Sequence, residues 1–563
     1  CRSTWFNVSS TSWLFEKIQF ARIVEVVRVH KLLLALISLS LVGCIDSKEE
    51  ILEEKNQGLV YCAEANPVSF NPQVTTTGST IDIIANQLYD RLISIDPVTA
   101  EFKSELATDW KISKDGKSVT FTLRKGVKFH TTSYFTPSRE FNADDVIFTF
   151  SRLFDVYNPY HFIGDANYPY FQSVGIDQLI RKIVRVSDHQ VRFELFNAES
   201  SFLANMATDF AVVLSKEYAM ALKANNQENL FDQYPIGTGP YIYKEYRRDH
   251  LVRFYKNADY WKHDVALEQL VYDITPNGTT RIAKILTKEC DVTAHPSSAQ
   301  LSILAQRDDI NVERETNLNI GYWAFNTERP PFDNLKVRQA LVHAIDIDKI
   351  MQAVYYGNGL RAQSILPPTS WAFELQKNMP IFDPQLAKRL LTEAGFPKGF
   401  DMSIWAMPVS RIYNPNARKM AELMQSDLRK IGVNVNIVEY EWNTFIQRIG
   451  EHRHDSVLLG WAADTPDPDN FFSPLLSCTA TFSGKNPANW CNPEFDLLLT
   501  KALDTTDLNL RKQYYNAAQS MIIKQLPLLP IAHGMRFQAS SADVEGITLG
   551  PFGAISLANA RKR

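Results

Sequence analysis

The chain has 563 residues, too many for one hydrophobic core, so two or three domains are expected. Its 45% hydrophobic and 22% charged residues are typical of a soluble globular protein, and its 12% aromatic residues favour a cleft lined by rings. The formal net charge of -4 at pH 7 excludes the strongly basic balance of nucleic-acid-binding proteins, so no nucleic acid is expected as a partner.

The first 44 residues are interpreted as a leader rather than as part of the fold. Residues 1 to about 27 are interpreted as upstream sequence, translated ahead of the true start. A basic segment then precedes an apolar run at 32–42, which is too short to span a bilayer and ends at Gly43 and Cys44. This order is typical of a bacterial lipoprotein signal, in which Cys44 is lipidated, and an ordinary cleaved secretory signal is the alternative.

Either signal exports the mature chain to the periplasm or cell envelope, and lipid at Cys44 would anchor it to a membrane. Residues 45–57 are charged and are predicted to form a tether. The fold is predicted to begin at residue 58 with a short strand.

The first half of the folded chain contains mostly short strands. Residues 81–92 have helical spacing of apolar positions. Residues 110–124 are predicted to form two strands joined by an Asp-Gly turn. Asn142 precedes two acidic residues and is predicted to cap a helix.

From about residue 335, longer helices alternate with strands, which is typical of an α/β domain. The predicted helices are 336–356, 384–394 and 416–431, and the predicted strands are 434–440 and 457–459. A turn rich in carboxylates, with Asp464, Asp467 and Asp469, follows the last strand. These carboxylates either face a cleft, where they suit a cationic partner, or are solvated turn formers.

Four cysteines follow the leader, an even number in an oxidising compartment, so two disulfides are predicted. They are Cys62, Cys290, Cys478 and Cys491. The sequence alone allows three connectivities. A metal site at these cysteines has no support in the sequence, because there is no CxxC spacing and no histidine near them in a ligand pattern.

Catalytic signatures are absent from the sequence, including HExxH, GxSxG, GxxxxGK[ST] and GxGxxG. The two glycines at 237–240 are explained by a turn before a strand. His452 and His454 lie among charged residues and are interpreted as a solvated loop rather than a metal pair. We therefore expect no enzymatic activity, no cofactor and no metal.

Several segments, in order along the chain, carry a family pattern. They are LRKGVKFH at 123–130, NADDVIF at 142–148, PIGTGPY at 235–241, AFNT at 324–327 and VRQA at 337–340. Together they resemble the peptide-binding (family 5) solute-binding proteins of ABC transporters, over about residues 59–558. Two branches are most similar: the dipeptide-binding proteins and the Sap-system proteins of antimicrobial-peptide resistance, the latter at 135–139, 299–304 and 526–531.

The resemblance implies an α/β, two-lobed periplasmic binding protein-like fold, with a hinge and a cleft between the lobes. Lobe I would comprise residues 58–316 and 532–563, and lobe II residues 317–531. The resemblance also implies disulfides that join Cys62 to Cys290 and Cys478 to Cys491.

The resemblance further implies which residues bind a peptide. Asp464 would take the peptide ammonium and Arg411 the peptide carboxylate, because each buried charge needs an opposite charge. Trp461, Tyr413 and Trp442 would supply ring surface, and Thr76 and Gly78 would offer backbone groups from lobe I.

The implied function is the capture of di- or oligopeptides, antimicrobial peptides included, and their delivery as a monomer to an ABC permease in the inner membrane. The alternative is a haem-binding protein of the same class, which would need an apolar slot with a His or Tyr ligand.

Overall fold

The computed structural model describes residues 58–96, 101–163, 167–463, 465–482, 486–547, 549 and 553–563. The leader with Cys44, the tether and Asp464 lie outside these ranges. Within them, no helix has both the length and the apolar character needed to cross a lipid bilayer.

The strands of the described ranges are β1 (Gly58–Ala63), β2 (Ile93–Ile95), β3 (Phe102–Ser104), β4 (Ala107–Ile112), β5 (Ser118–Leu123), β6 (Ile180–Ser187), β7 (Gln190–Leu195), β8 (Tyr241–Arg247), β9 (Leu251–Lys256), β10 (Gln269–Ile274), β11 (Val292–Ala294), β12 (Ile310–Thr316), β13 (Asn319–Phe325), β14 (Gly359–Arg361), β15 (Asp401–Ala406), β16 (Asn434–Val438), β17 (Ser456–Ala462), β18 (Leu528–Ser541), β19 (Val544–Glu545) and β20 (Arg561–Lys562). The largest sheet has the order β16-β15-β17-β13-β18-β11-β1-β10-β9-β8, and β12 and β14 also pair with β18. A second sheet has the order β4-β5-β7-β6.

The helices of the same ranges are α1 (Gly78–Leu88), α2 (Ala143–Ser151), α3 (Pro169–Ser173), α4 (Ile176–Leu179), α5 (Phe202–Met206), α6 (Lys216–Ala224), α7 (Gly278–Leu286), α8 (Ser298–Leu304), α9 (Leu335–His343), α10 (Ile347–Tyr355), α11 (Pro384–Glu393), α12 (Ala417–Arg429), α13 (Trp442–Gly450), α14 (Ser473–Leu476), α15 (Cys478–Phe482), α16 (Pro493–Leu503) and α17 (Leu508–Gln525). The predicted helices at 384–394 and 416–431 correspond to α11 and α12. The helix predicted at 81–92 is α1, which begins and ends earlier in the chain.

Local sequence signals account for two further elements. Strands β4 and β5 pair antiparallel, and Gly116 in the turn between them has a φ of 68°, as the Asp-Gly signal predicts. The Asn142 side chain accepts from the backbone N–H of Asp144, and Asp145 accepts from the backbone N–H of Asn142, which forms a capping box. The predicted turn and cap are confirmed.

The single helix predicted at 336–356 is wrong. The structure has two helices here, α9 and α10, separated by residues 344–346. The Asp346 side chain accepts from the backbone N–H of Lys349 and so caps a second helix, which lets the chain change direction while the apolar spacing continues.

Strand β18 connects the two lobes of the fold. Its first half pairs with β13, where Ala324 is opposite Leu528, and its second half pairs with β12, where Thr316 is opposite Met535. One hydrophobic core is built from residues between 59 and 294 and from the chain end after 543, and a second from residues between 318 and 532. The exact bounds of the lobes stay a prediction.

Side-chain hydrogen bonds of Asn319 and His533 reinforce the crossing between the lobes. Asn319 Nδ2 donates to the carbonyl oxygen of Gly534 at 2.8 Å, and Asn319 Oδ1 accepts from the N–H of Gly534 at 2.8 Å. His533 Nδ1 also donates to the carbonyl oxygen of Asn319 at 2.6 Å. These bonds join β13 to β18 at the position where the hinge is expected.

Both disulfides are present in the structure. Cys62 on β1 bonds to Cys290 just before β11, 228 residues away, and Cys478 bonds to Cys491, which closes a loop of lobe II. Asp273 lies beside the first bond, but both sulfurs are engaged with each other and are not available as thiolate ligands for a metal.

Candidate ligand-binding cleft

A cavity of about 1570 Å³ lies between the lobes. Lobe I lines it with the start of α1 and with the loops after α5 and β11, and lobe II lines it with the end of α10 and the segment before α12. The crossing strand β18 contributes Met535, Arg536 and Phe537. A ligand in this space would contact both lobes and the strand that connects them.

Most charged side chains that lobe I contributes to the cavity are already paired. Arg91 forms an ion pair with Asp209, whose other oxygen accepts from the N–H of Ala554. Lys262 Nζ lies 2.7 Å from both carboxylate oxygens of Glu105. These pairs hold the wall together and leave little free charge for a ligand on this side.

The floor of the cavity contains a buried ion pair that links distant parts of the chain. Arg536 Nη2 lies 2.8 and 3.0 Å from the two carboxylate oxygens of Asp82, and His295 Nε2 lies 3.7 Å from one of them. Burial alone would raise the pKa of Asp82, but Arg536 and the hydrogen bond from His295 lower this pKa to about 2. Asp82 is therefore ionised, and its charge is neutralised inside lobe I.

Lobe II presents two cations, Arg411 and Lys419, to the cavity. Neither forms an ion pair with a carboxylate among the described residues. The Arg411 side chain is exposed, its Nη1 donates to the carbonyl oxygen of Ser410 at 3.1 Å, and its guanidinium lies 5.4 Å from the centroid of the Trp442 ring. This guanidinium is suited to accept a planar anion such as a carboxylate.

Of the predicted ring residues, only Trp442 lines the cavity. Tyr413 is buried in lobe II, where Tyr355 Oη donates to its carbonyl oxygen at 2.7 Å. Trp461 is half-buried, and its Nε1 donates to Asn470 Oδ1 at 3.0 Å. Neither residue is among those that line the cavity in this structure.

Thr76 and Gly78 line the opposite wall, beside the amino-terminal end of α1, and their predicted contacts with a peptide stay a prediction. Asp464 lies outside the described residues, but Ala462 and Ala463 directly before it line the cavity. The chain therefore reaches the cleft just before the predicted ammonium site.

The other two carboxylates of that turn are internal to lobe II. Both oxygens of Asp467 accept from Arg511 Nη2, at 2.9 and 2.8 Å, and Asp469 accepts from Ser473 Oγ at 2.8 Å. Burial and the neighbouring Asp467 charge raise the pKa of Asp469 to about 7. Neither residue lines the cavity, so neither the cleft nor the solvated-turn interpretation applies to them.

The interpretation of His454 as part of a solvated loop is also wrong. Its side chain is fully buried, Nε2 donates to the carbonyl oxygen of Pro487 at 2.7 Å, and the ring lies 5.8 Å from the Trp405 ring. Burial lowers the pKa of His454 to about 4, so the ring is neutral. The sequence does not reveal this burial, because the charged residues Arg453 and Asp455 flank His454.

Sequence reasoning missed Tyr356, which lines the cavity from lobe II. It follows α10 with a φ of 52°, in the left-handed region, and its side chain is 60% exposed. The Gly357 that follows it was the available signal, because glycine commonly ends a helix. The buried pair of Asp82 and Arg536 had no local signal.

Comparisons with known proteins agree with this architecture. The family model "Bacterial extracellular solute-binding proteins, family 5 Middle" matches residues 101–483. The chain belongs to the family 5 bacterial extracellular solute-binding proteins. Proteins of this family act outside the cytoplasm.

Among curated relatives, the dipeptide-binding protein of Escherichia coli K12 is 42% identical over 524 residues, 93% of this chain and 96% of the relative. The probable periplasmic-binding protein SapA of the same organism is 40% identical over 504 residues, 90% and 92% of the two chains. Heme-binding protein A of Haemophilus influenzae is 40% identical over 508 residues, also 90% and 92%.

Among solved structures, a dipeptide-binding protein from Pseudoalteromonas sp. SM9913, crystallised in complex with Met-Leu, is 97% identical. The match covers 90% of this chain and all of that chain, with a TM-score of 0.80. The two-lobed α/β fold expected from the sequence is confirmed.

Proposed function

We propose that this chain captures short peptides with free termini outside the cytoplasm and delivers them to an ABC importer. The observation that carries the proposal is Arg411, whose guanidinium lies over the Trp442 ring at the wall of a large cleft between two lobes and has no carboxylate partner among the described residues. The relatives named for dipeptide binding and the neighbour crystallised with Met-Leu support the same ligand class.

The ligand would be bound through both of its charges. Arg411 takes the carboxylate, and Asp464, which follows the cavity-lining Ala463, takes the ammonium. Both residues belong to lobe II, so their separation is set before the lobes close. Closure then removes water from both pairs, which strengthens them.

Calorimetry with Met-Leu, its amino-acetylated form and its carboxy-amidated form tests this proposal. Each modification removes one charge and should weaken binding by about 30-fold or more, because a desolvated partner loses its counter-charge. An Asp464→Ala variant should bind the free and acetylated peptides equally weakly. Equal affinity of the wild type for all three peptides would contradict the proposal.

Haem is a second candidate ligand. Heme-binding protein A is among the relatives, and His263, His295 and Tyr356, residue types that ligate haem iron, line the cavity. Titration with haemin distinguishes the two: a shifted Soret band that persists in excess Met-Leu would favour haem. A spectrum unchanged from free haemin would favour peptide alone.

We also propose that the chain has no enzymatic activity.

We further propose that the chain is attached to a membrane through lipid on Cys44. The pattern that motivates this anchor is the basic and apolar leader that ends at Gly43 and Cys44. A Cys44→Ser variant should then fractionate as soluble protein in cells, whereas the wild type sediments with membranes. A soluble wild type whose amino terminus lies beyond Cys44 would contradict the anchor.

A further inference from the structure

The segment that carries Arg411 is a tight turn, here called the Arg411 loop and defined as residues 411–414. The N–H of Arg411 donates to the carbonyl oxygen of Asn414 at 3.1 Å, and the N–H of Asn414 donates to that of Arg411 at 3.0 Å. The turn lies directly against β13, β17 and β18 of the large sheet. The position of Arg411 therefore depends on how closely this turn can approach the strands.

Each of these three strands has a glycine under the turn, and these glycines are here called the glycine seat. A Cβ atom at Gly321 would lie 2.2 Å from the carbonyl oxygen of Tyr413, and one at Gly534 would lie 1.9 Å from that of Ile412. A Cβ atom at Gly460 would lie 2.1 Å from the Tyr413 ring. Real Cβ atoms essentially never approach closer than 3.0 Å.

The seat is continuous across the sheet. Gly321 and Gly460 are direct partners in the pairing of β13 with β17, and Gly534 lies on the other side of β13, where Asn319 holds its N–H and carbonyl. At Gly321 and Gly534 the obstacle is backbone of the Arg411 loop, which a side-chain rotation cannot move. A larger residue at either position would lift the loop off the sheet.

A buried tyrosine holds the loop beside Gly321. Tyr355 Oη donates to the carbonyl oxygen of Tyr413 at 2.7 Å, and this oxygen is the atom nearest to the Gly321 Cβ position. The glycines determine how closely the loop approaches the sheet, and the Tyr355 hydroxyl orients the Tyr413 carbonyl. Arg411, which leads this loop, then has its guanidinium over Trp442 at the cavity wall.

We infer that Gly321, Gly460, Gly534 and Tyr355 are positioning residues that place the Arg411 guanidinium for the free carboxylate of a ligand. This inference rests on the proposed function. Close packing that served only stability would affect all ligands alike, whereas placement of one guanidinium affects only ligands with a carboxylate. The two roles therefore predict different ratios between the affinities for ligands with and without a carboxylate.

The ratio is the Kd of carboxy-amidated Met-Leu divided by the Kd of free Met-Leu. Gly321→Ala should weaken free Met-Leu by about 10- to 100-fold, because small misplacements of a binding group cost this much, and should leave the amidated peptide unchanged. Tyr355→Phe keeps the ring, removes the hydroxyl and should lower the ratio by about threefold or more. Gly278→Ala is the matched control, since its Cβ would meet its nearest atom at 3.6 Å.

A folded Gly321→Ala protein with the wild-type ratio would overturn the inference. If Gly321→Ala does not fold, Tyr355→Phe decides, and an unchanged ratio there overturns it equally. A wild-type ratio of one would instead overturn the carboxylate role of Arg411 in the proposed function. The failures of the two proposals are thus distinguishable.

Discussion

Replacing Arg411 with alanine should weaken the binding of a dipeptide by about 30- to 4000-fold, which corresponds to about 2–5 kcal/mol. The guanidinium has no carboxylate partner among the described residues, so it is available to bind the carboxylate of a ligand. Closure of the lobes would leave the carboxylate of a bound dipeptide desolvated and unpaired in the variant. Longer peptides, whose carboxylate lies elsewhere in the cleft, should be affected much less. Calorimetry with di-, tri- and tetrapeptides measures both effects.

Arg418→Ala is the matched control for this change. Arg418 lies on α12, and its side chain is exposed, paired with Glu422 and Glu439, and not among those that line the cavity. It removes the same charge without touching the cleft, and its Kd values should match those of the wild type. If Arg411→Ala bound dipeptides as tightly as Arg418→Ala, Arg411 would not be the carboxylate site.

The largest loss of stability is expected for Arg511→Ala, about 3–5 kcal/mol in the free energy of unfolding. Arg511 is buried; its Nη2 donates to both oxygens of Asp467 and to Tyr515 Oη, and its Nε donates to the carbonyl oxygen of Ala502 at 3.0 Å. Its removal leaves the Asp467 charge buried without a counter-charge, beside Asp469. Urea unfolding of the variant and the wild type measures the difference.

The control for stability is Arg307→Ala. Arg307 and Asp309 form an exposed pair that is solvated on both sides, and such pairs contribute little to stability. The prediction would be contradicted if the urea midpoint of Arg511→Ala were as close to that of the wild type as the midpoint of Arg307→Ala is. The pair of Asp467 and Arg511 would then be dispensable for folding.

Helices and turns were predictable from the sequence wherever a short-range signal decides the structure. The capping box at Asn142 and the turn at Gly116 involve groups a few residues apart, and both are present. The break between α9 and α10 was missed because the apolar spacing continues through it. The cap at Asp346 has the same local chemistry, but apolar periodicity does not reveal where the chain turns.

Of the residues that the resemblance implied for peptide binding, Arg411, Trp442, Thr76 and Gly78 line the cavity, and their binding roles stay predictions. Tyr413, by contrast, is turned into lobe II, and a ring that packs in a core has the same sequence appearance as a ring that contacts a ligand. The role of Asp464 remains a prediction.

Through its resemblance to a family, the sequence determined the family, the two-lobed α/β fold and the pairing of the four cysteines. These properties depend on motifs and local chemistry that can be read within short segments. Only the tertiary structure decided which charges are neutralised internally, as in the pair of Asp82 and Arg536, and how closely the Arg411 loop approaches its glycines. The reason is physical: ion pairing and atomic clearance depend on distances between residues that lie tens to hundreds of positions apart and meet only when the sheet forms.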